Sequence, residues 1–136
     1  MKIFGKYLLF IFFLFGLAVN ASDSEVSKLP ADQAFFKKAA KTLNLSHRKV
    51  ENLQGINTGY YLIAGVFGSP ENARRFAKKM SYKGFAAELM LNPENQMHYV
   101  SLGFQGNGLD LLENYQKKIK PNYTDKVWIL QVENNT

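Results

Sequence analysis

YYLIAGVF (Tyr60–Phe67), SPENARRFAKKMSYKG (Ser69–Gly84) and FAAELML (Phe85–Leu91) read as strand, helix and strand. The same order recurs in MHYVSLGF (Met97–Phe104), LDLLENYQKKIK (Leu109–Lys120) and VWILQV (Val127–Val132). Tyr61 and Gly65 of the first run lie 38 residues ahead of Tyr99 and Gly103 of the second. Two copies of one supersecondary unit packed into one sheet predict an α+β fold of the β-α-β-β-α-β type. That ferredoxin-like arrangement has a four-stranded antiparallel sheet with two helices on one face. The fold hosts many functions, so function has to be argued from the surface that the sheet presents.

Local signals support each element. Ser69 is suited to cap a helix that opens with Pro70 and Glu71. Ala73, Phe76, Ala77 and Met80 recur at helical spacing, with Arg74, Arg75, Lys78 and Lys79 on the other side. Gly84 is placed to stop that helix. Asn92–Gln96 predicts the turn of a hairpin between the second and third strands. The second helix is expected to bury Leu112, Tyr115 and Ile119 and to end before Pro121.

The N-terminus reads as a processing signal over residues 1–21. Lys2 and Lys6 precede the run YLLFIFFLFGLAV, and Val19 and Ala21 supply small residues for cleavage before Ser22. The prediction is an exported, periplasmic chain, free or wall-associated, with an uncleaved N-terminal anchor as the alternative. Residues 22–58 read as a partly helical linker. Ala31, Ala34, Phe35, Ala39 and Leu43 lie near helical spacing behind Pro30, and Ser46 is suited to cap a further short helix running to Leu53. QGINTG (Gln54–Gly59) forms a turn before the first strand. The third segment, 59–133, is the folded domain.

The chain has no cysteine, so its stability must come from an apolar core without disulfides. Its formal net charge of +6 falls to +4 when the two charges of Lys2 and Lys6 are removed. That mild bias suits an anionic glycan, membrane or protein surface and is no specific sign of nucleic acid.

Two helices can cover one face of the sheet, and the other face should alternate to polar residues. In the third strand His98, Val100 and Leu102 can face the helices while Tyr99 and Ser101 look outward. The first strand is apolar on both sides. If Leu62 and Ala64 face the helices, Tyr61 and Ile63 face out, and a bulge at Gly65 brings Val66 to the same side. Trp128 adds apolar surface from the last strand. A patch of this kind marks a binding site or a contact within the chain, for instance with residues 22–58. The candidate ligand-binding residues are therefore Tyr61, Ile63, Val66, Tyr99, Ser101 and Trp128.

Residues 59–133 resemble a SPOR domain, the peptidoglycan-binding module of bacterial envelope proteins. The matching residues are Tyr60, Tyr61, Leu62, Gly65 and Phe67 in the first strand, ENARRFAKKM in the first helix, KGF before the second strand and YVSLGF in the third. With YYLIAGVF, NPENQMHYV and the closing WILQV, the chain looks closest to the branch found in Bacteroidetes envelope proteins. The resemblance implies the four-stranded fold already read from the residues. It also implies binding of glycan strands stripped of their stem peptides, as found at division septa, through the open sheet face. Family members commonly place a glutamine and a serine beside the central glycine of the first strand, and an arginine in the third. Ile63, Val66 and Tyr99 stand there in this chain.

Catalysis has no support in the sequence. His47 and His98 have no nucleophile or carboxylate motif around them, and the two histidines with no cysteine give no metal spacing. GFQGNG (Gly103–Gly108) lacks the lysine-serine pair of a phosphate loop and reads as a strand-to-helix connection. No cofactor and no metal is expected. RNA-binding sheets share this topology, but an export signal argues against nucleic acid. Two readings stay open. One is a wall-binding module for peptidoglycan glycan strands, and the other is an envelope protein-protein interaction module that kept the fold and lost the sugar site.

Overall fold

The structure, a computed structural model, describes residues 25–135. The signal peptide expected over residues 1–21 lies outside them. Among the described residues no helix is long and apolar enough to cross a membrane. The chain divides into two compact units, Met1–Lys37 and Lys38–Thr136. Helix α1 (Glu25–Thr42) contributes its first part to the former unit and its end to the latter. It begins ahead of Pro30, which is therefore inside the helix and not in its first turn.

The larger unit contains β1 (Ser46–Glu51), β2 (Gly59–Phe67), α2 (Pro70–Tyr82), β3 (Glu88–Asn92), β4 (Met97–Gln105), α3 (Gly108–Asn114) and β5 (Trp128–Glu133). The strands form one five-stranded sheet in the order β1-β5-β2-β4-β3. Four of them form the antiparallel β5-β2-β4-β3 sheet expected from the repeat. The fifth corrects that expectation, because β1 pairs in parallel with β5 and makes the sheet mixed. SHRKVE, read from sequence as the start of a capped helix, is an edge strand. Its register sets His47 opposite Ile129 and Lys49 opposite Gln131, and the side chains reach one step further along β5, with 2.8 Å between His47 Nε2 and Gln131 Oε1 and 2.6 Å between Lys49 and Glu133. Pairing to an exposed sheet edge overrides weak local propensity, which is why this polar strand carries little β signal of its own.

The helices form as their sequences require. Ser69 caps α2 in an extended conformation, with its hydroxyl accepting from the Asn72 N–H at 3.3 Å, and Pro70 opens the first turn. At the other end Gly84 has φ +95°, its N–H donates to Ser81 O, and the Phe85 N–H donates to Met80 O. That closing pair needs a left-handed residue, which glycine adopts without strain, and it buries Phe85 and Met80 together. Helix α3 is followed by a π-helical turn over Tyr115–Ile119. The wider turn leaves Tyr115 half-buried, while Leu111, Leu112 and Ile119 form the buried stripe.

The internal repeat has a physical centre. Between β2 and β4 the register pairs Tyr61 with Phe104, Leu62 with Gly103, Ile63 with Ser101, Gly65 with Val100 and Val66 with Tyr99. A shift of 38 residues maps this list onto itself, so a pseudo-twofold axis runs through the Ile63–Ser101 pair. Each strand carries one bulge residue, Ala64 on β2 and Leu102 on β4. The bulges flip the strands between Tyr and Gly, so both tyrosines face one side and both glycines the other. A Cβ on Gly65 would lie 2.7 Å from the ring of Phe67, which packs on Phe76 of α2, and one on Gly103 would lie 2.8 Å from Asn114 Nδ2 of α3. Gly103 thus lets α3 sit close on the sheet, and Gly65 leaves room for the Phe67 ring that packs on α2.

Candidate functional site

The side of the sheet opposite α2 and α3 carries the candidate residues. Strand alternation and the two bulges put Tyr61, Ile63, Val66, Tyr99, Ser101 and Trp128 on this one face. The bulge on β2 is the reason Ile63 and Val66 share it. The sequence-based picture of an open face is changed by burial. Ile63 is 0 % exposed, Ser101 1 %, Tyr61 4 % and Tyr99 5 %, whereas Val66 is 39 % exposed and Trp128 is half-buried.

The connection between β1 and β2 accounts for much of that burial. Leu53 and Ile56 join Tyr61, Ile63, Met90, Tyr99, Leu130 and Val132 in one apolar cluster, with Val50, Met97 and Trp128 packed against it. Asn134 holds this loop down. Its side-chain oxygen accepts from the Leu53 N–H at 2.8 Å, and its side-chain nitrogen donates to Ile56 O at 2.6 Å. The backbone polar groups of the loop are thereby satisfied where it crosses the sheet. Tyr61 donates its hydroxyl to Asn57 O at 2.7 Å and packs on Phe104 with ring centroids 4.7 Å apart. Tyr61 is an anchor of the loop at this end of the face.

Ser101 has a local task. Its hydroxyl donates to Gly103 O at 2.8 Å and accepts from the Gly103 N–H at 3.2 Å, bridging the bulge on β4. At the opposite end from the loop, Tyr99 stands edge-on to Trp128, 6.0 Å between centroids, and its hydroxyl accepts from Asn95 Nδ2 at 3.2 Å. The Arg48 guanidinium lies over the Trp128 ring at 5.6 Å. Here the strip Val66, Tyr99, Trp128 and Arg48 combines exposed apolar surface, aromatic edges and a cation. Beside it is a cleft of about 350 Å³ lined by Ser46, His47, Arg48, Lys126, Val127 and Trp128.

Three residues of this face escaped the sequence reading. Phe104 occupies the position that the 38-residue repeat equates with Val66, and it is as exposed as Val66. That equivalence was available from the repeat. Arg48 and Asn134 carried no signal, because they reach the face only through β1 and the loop that follows it.

Two phenols titrate high. Burial raises Tyr61, with the nearby Glu88 carboxylate adding to the rise and the bond to Asn57 opposing it. Burial also raises Tyr123, helped by Asp125. Both lie above the ordinary 10.0 in the folded chain, so the unfolded chain gives up its phenolic protons first. The folded state therefore keeps its full stability below pH 10 and loses it as pH rises through the folded values. The urea midpoint is expected to fall above pH 10, and Tyr61→Phe to reduce the slope. A remaining slope is expected from Tyr123 and from Lys49, which its hydrogen bond to Glu133 raises. An unchanged slope in Tyr61→Phe would show that this phenol is not desolvated.

Among the described residues no group of three or more His, Asp or Glu side chains is placed to hold a metal. Comparison with curated proteins and with solved structures gave no match. Comparison with protein families did. Residues 57–107, which span β2, α2, β3, β4 and the turn into α3, match the SPOR domain, a family of peptidoglycan-binding and not catalytic modules.

Proposed function

We propose that this protein is an exported cell-wall-binding module of the bacterial periplasm, of the branch found in Bacteroidetes envelope proteins, and that it binds peptidoglycan glycan strands stripped of their stem peptides. The observation that carries this is the SPOR domain at residues 57–107, whose two central strands bring Val66 and Tyr99 side by side at the exposed end of the face opposite the helices. The site is then the strip Val66, Tyr99 and Trp128, with Tyr61, Ile63 and Ser101 beneath it as the platform. Half-buried Trp128 suits a sugar ring, since an indole offers a flat apolar surface and a polar handle, and buried Tyr99 holds its position edge-on. The family's common polar positions hold Ile63 and Val66, so hydrogen bonds to the sugar come from the rim.

Those same apolar residues favour a second reading, an envelope protein partner, because exposed Val66 and Phe104 offer a sugar nothing to hydrogen-bond. Retention on purified sacculi separates the two. The mature chain is expected to be held weakly by intact sacculi and several-fold more strongly after amidase treatment. Absence of retention on both would remove glycan binding and leave the protein partner.

A further inference from the structure

Strand β1 lies outside the matched SPOR segment, and it brings a charged group to the exposed end of the face. Arg48 is exposed and stacked over Trp128, and Lys126 is exposed across the same cleft. Among the described residues no carboxylate lies within ion-pair distance of either, whereas Lys49 on the other side of β1 is paired with Glu133 at 2.6 Å. A guanidinium held over an indole keeps its in-plane N–H donors available while its position is fixed. Such a fork matches a carboxylate in two parallel hydrogen bonds, and a nearby ammonium adds charge without a geometric demand. The cleft of about 350 Å³ against the Arg48–Trp128 stack has the volume for a group of sugar size.

We propose that Arg48 and Lys126 form a carboxylate-binding subsite, built on Trp128 and supplied by the additional strand β1, that reads an acidic group on a glycan sugar. The inference rests on the glycan reading above. In a stripped strand the cut that removes the stem peptide frees a lactyl carboxylate that was an amide in the intact wall. A subsite of this kind therefore distinguishes stripped from peptide-bearing strands by charge and replaces the hydrogen bonds absent at Ile63 and Val66.

The test measures binding of the mature chain to three probes: amidase-stripped glycan strands, the same strands with their carboxylates reduced to alcohols, and oligogalacturonate as a second carboxylated saccharide. Arg48→Ala and Lys126→Ala are each expected to weaken binding to stripped strands, Arg48→Ala about tenfold and Lys126→Ala less. Arg48→Lys is expected to recover part of the loss, since it restores charge without the fork. Carboxylate reduction should weaken the parent chain by at least the Arg48→Ala factor and weaken Arg48→Ala much less, by no more than the Lys126 contribution. Lys126→Ala, which leaves the Arg48–Trp128 stack in place, guards against reading a folding defect as a binding one. Equal binding of reduced and native strands by the parent chain would overturn the subsite and leave glycan binding standing. Arg48-dependent binding of oligogalacturonate with none of stripped strands would keep the subsite and remove the peptidoglycan reading. Binding of none of the three probes would remove both.

Discussion

Ile63→Glu is expected to unfold the protein or nearly so, with a loss above about 4 kcal/mol in urea or thermal denaturation. Ile63 sits on the pseudo-twofold axis, paired with Ser101 on one side and Trp128 on the other, and it has no accessible surface. A carboxylate there has no cation to meet, and Glu88, paired with Ser101 on the same face, adds repulsion. The penalty rivals the whole stability of a domain this size, about 5–15 kcal/mol. Ile63→Val, which removes one methyl group, should cost only about 1 kcal/mol. Val66→Glu, on the same face but 39 % exposed, should cost less than about 1 kcal/mol. An Ile63→Glu chain as stable as its parent would mean that Leu53 and Ile56 do not cover this position in solution.

Starting the chain at Gly59 is expected to have an effect of similar size. The SPOR-like segment read from sequence begins there, and the cut removes both β1 and the loop that carries Leu53 and Ile56. Truncating one fully buried Leu or Ile to Ala costs about 2–5 kcal/mol, and this deletion removes two. It also strips the six-residue ladder from β5 and leaves Leu130 and Val132 under-packed at a new sheet edge. Residues 59–136 should unfold in urea with a lower midpoint and a broader transition than a chain starting at Lys38. An equal midpoint and slope would show that β1 and its loop stand outside the cooperative unit. Alkaline denaturation, retention on sacculi and the Arg48 series probe the remaining features one at a time.

The β-α-β repeat was legible because each element carried its own local instruction. Alternation marked β4, period-3.6 spacing with Ser69, Pro70 and Gly84 marked α2, and Asn92–Gln96 marked the hairpin, whose Gln96 has φ +59°. These signals act over a few residues, so a sequence displays them directly. The 38-residue offset went further and placed the two tyrosines and two glycines in equivalent positions. A bulge after Ile63 was also readable, as the only way to put Val66 on the side of Ile63, although the extra residue is Ala64 and Gly65 stays paired with Val100.

Burial of the face was not legible. SHRKVE has almost no strand propensity, and its pairing with β5 joins residues more than 80 positions apart. Leu53 and Ile56 stand in a stretch whose glycines and asparagines read as a plain turn, and the clamp that seats them comes from Asn134 near the other end of the chain. By itself the sequence determined the β-α-β-β-α-β core, the helices on one side of it, and the set of residues that face away from them. Only the tertiary structure decided that most of that set is covered and that the exposed end is where Arg48 meets Trp128. Secondary elements follow from local sterics and hydrophobic period, whereas exposure depends on which distant segment packs where, and that choice is made by the sum of contacts across the whole chain.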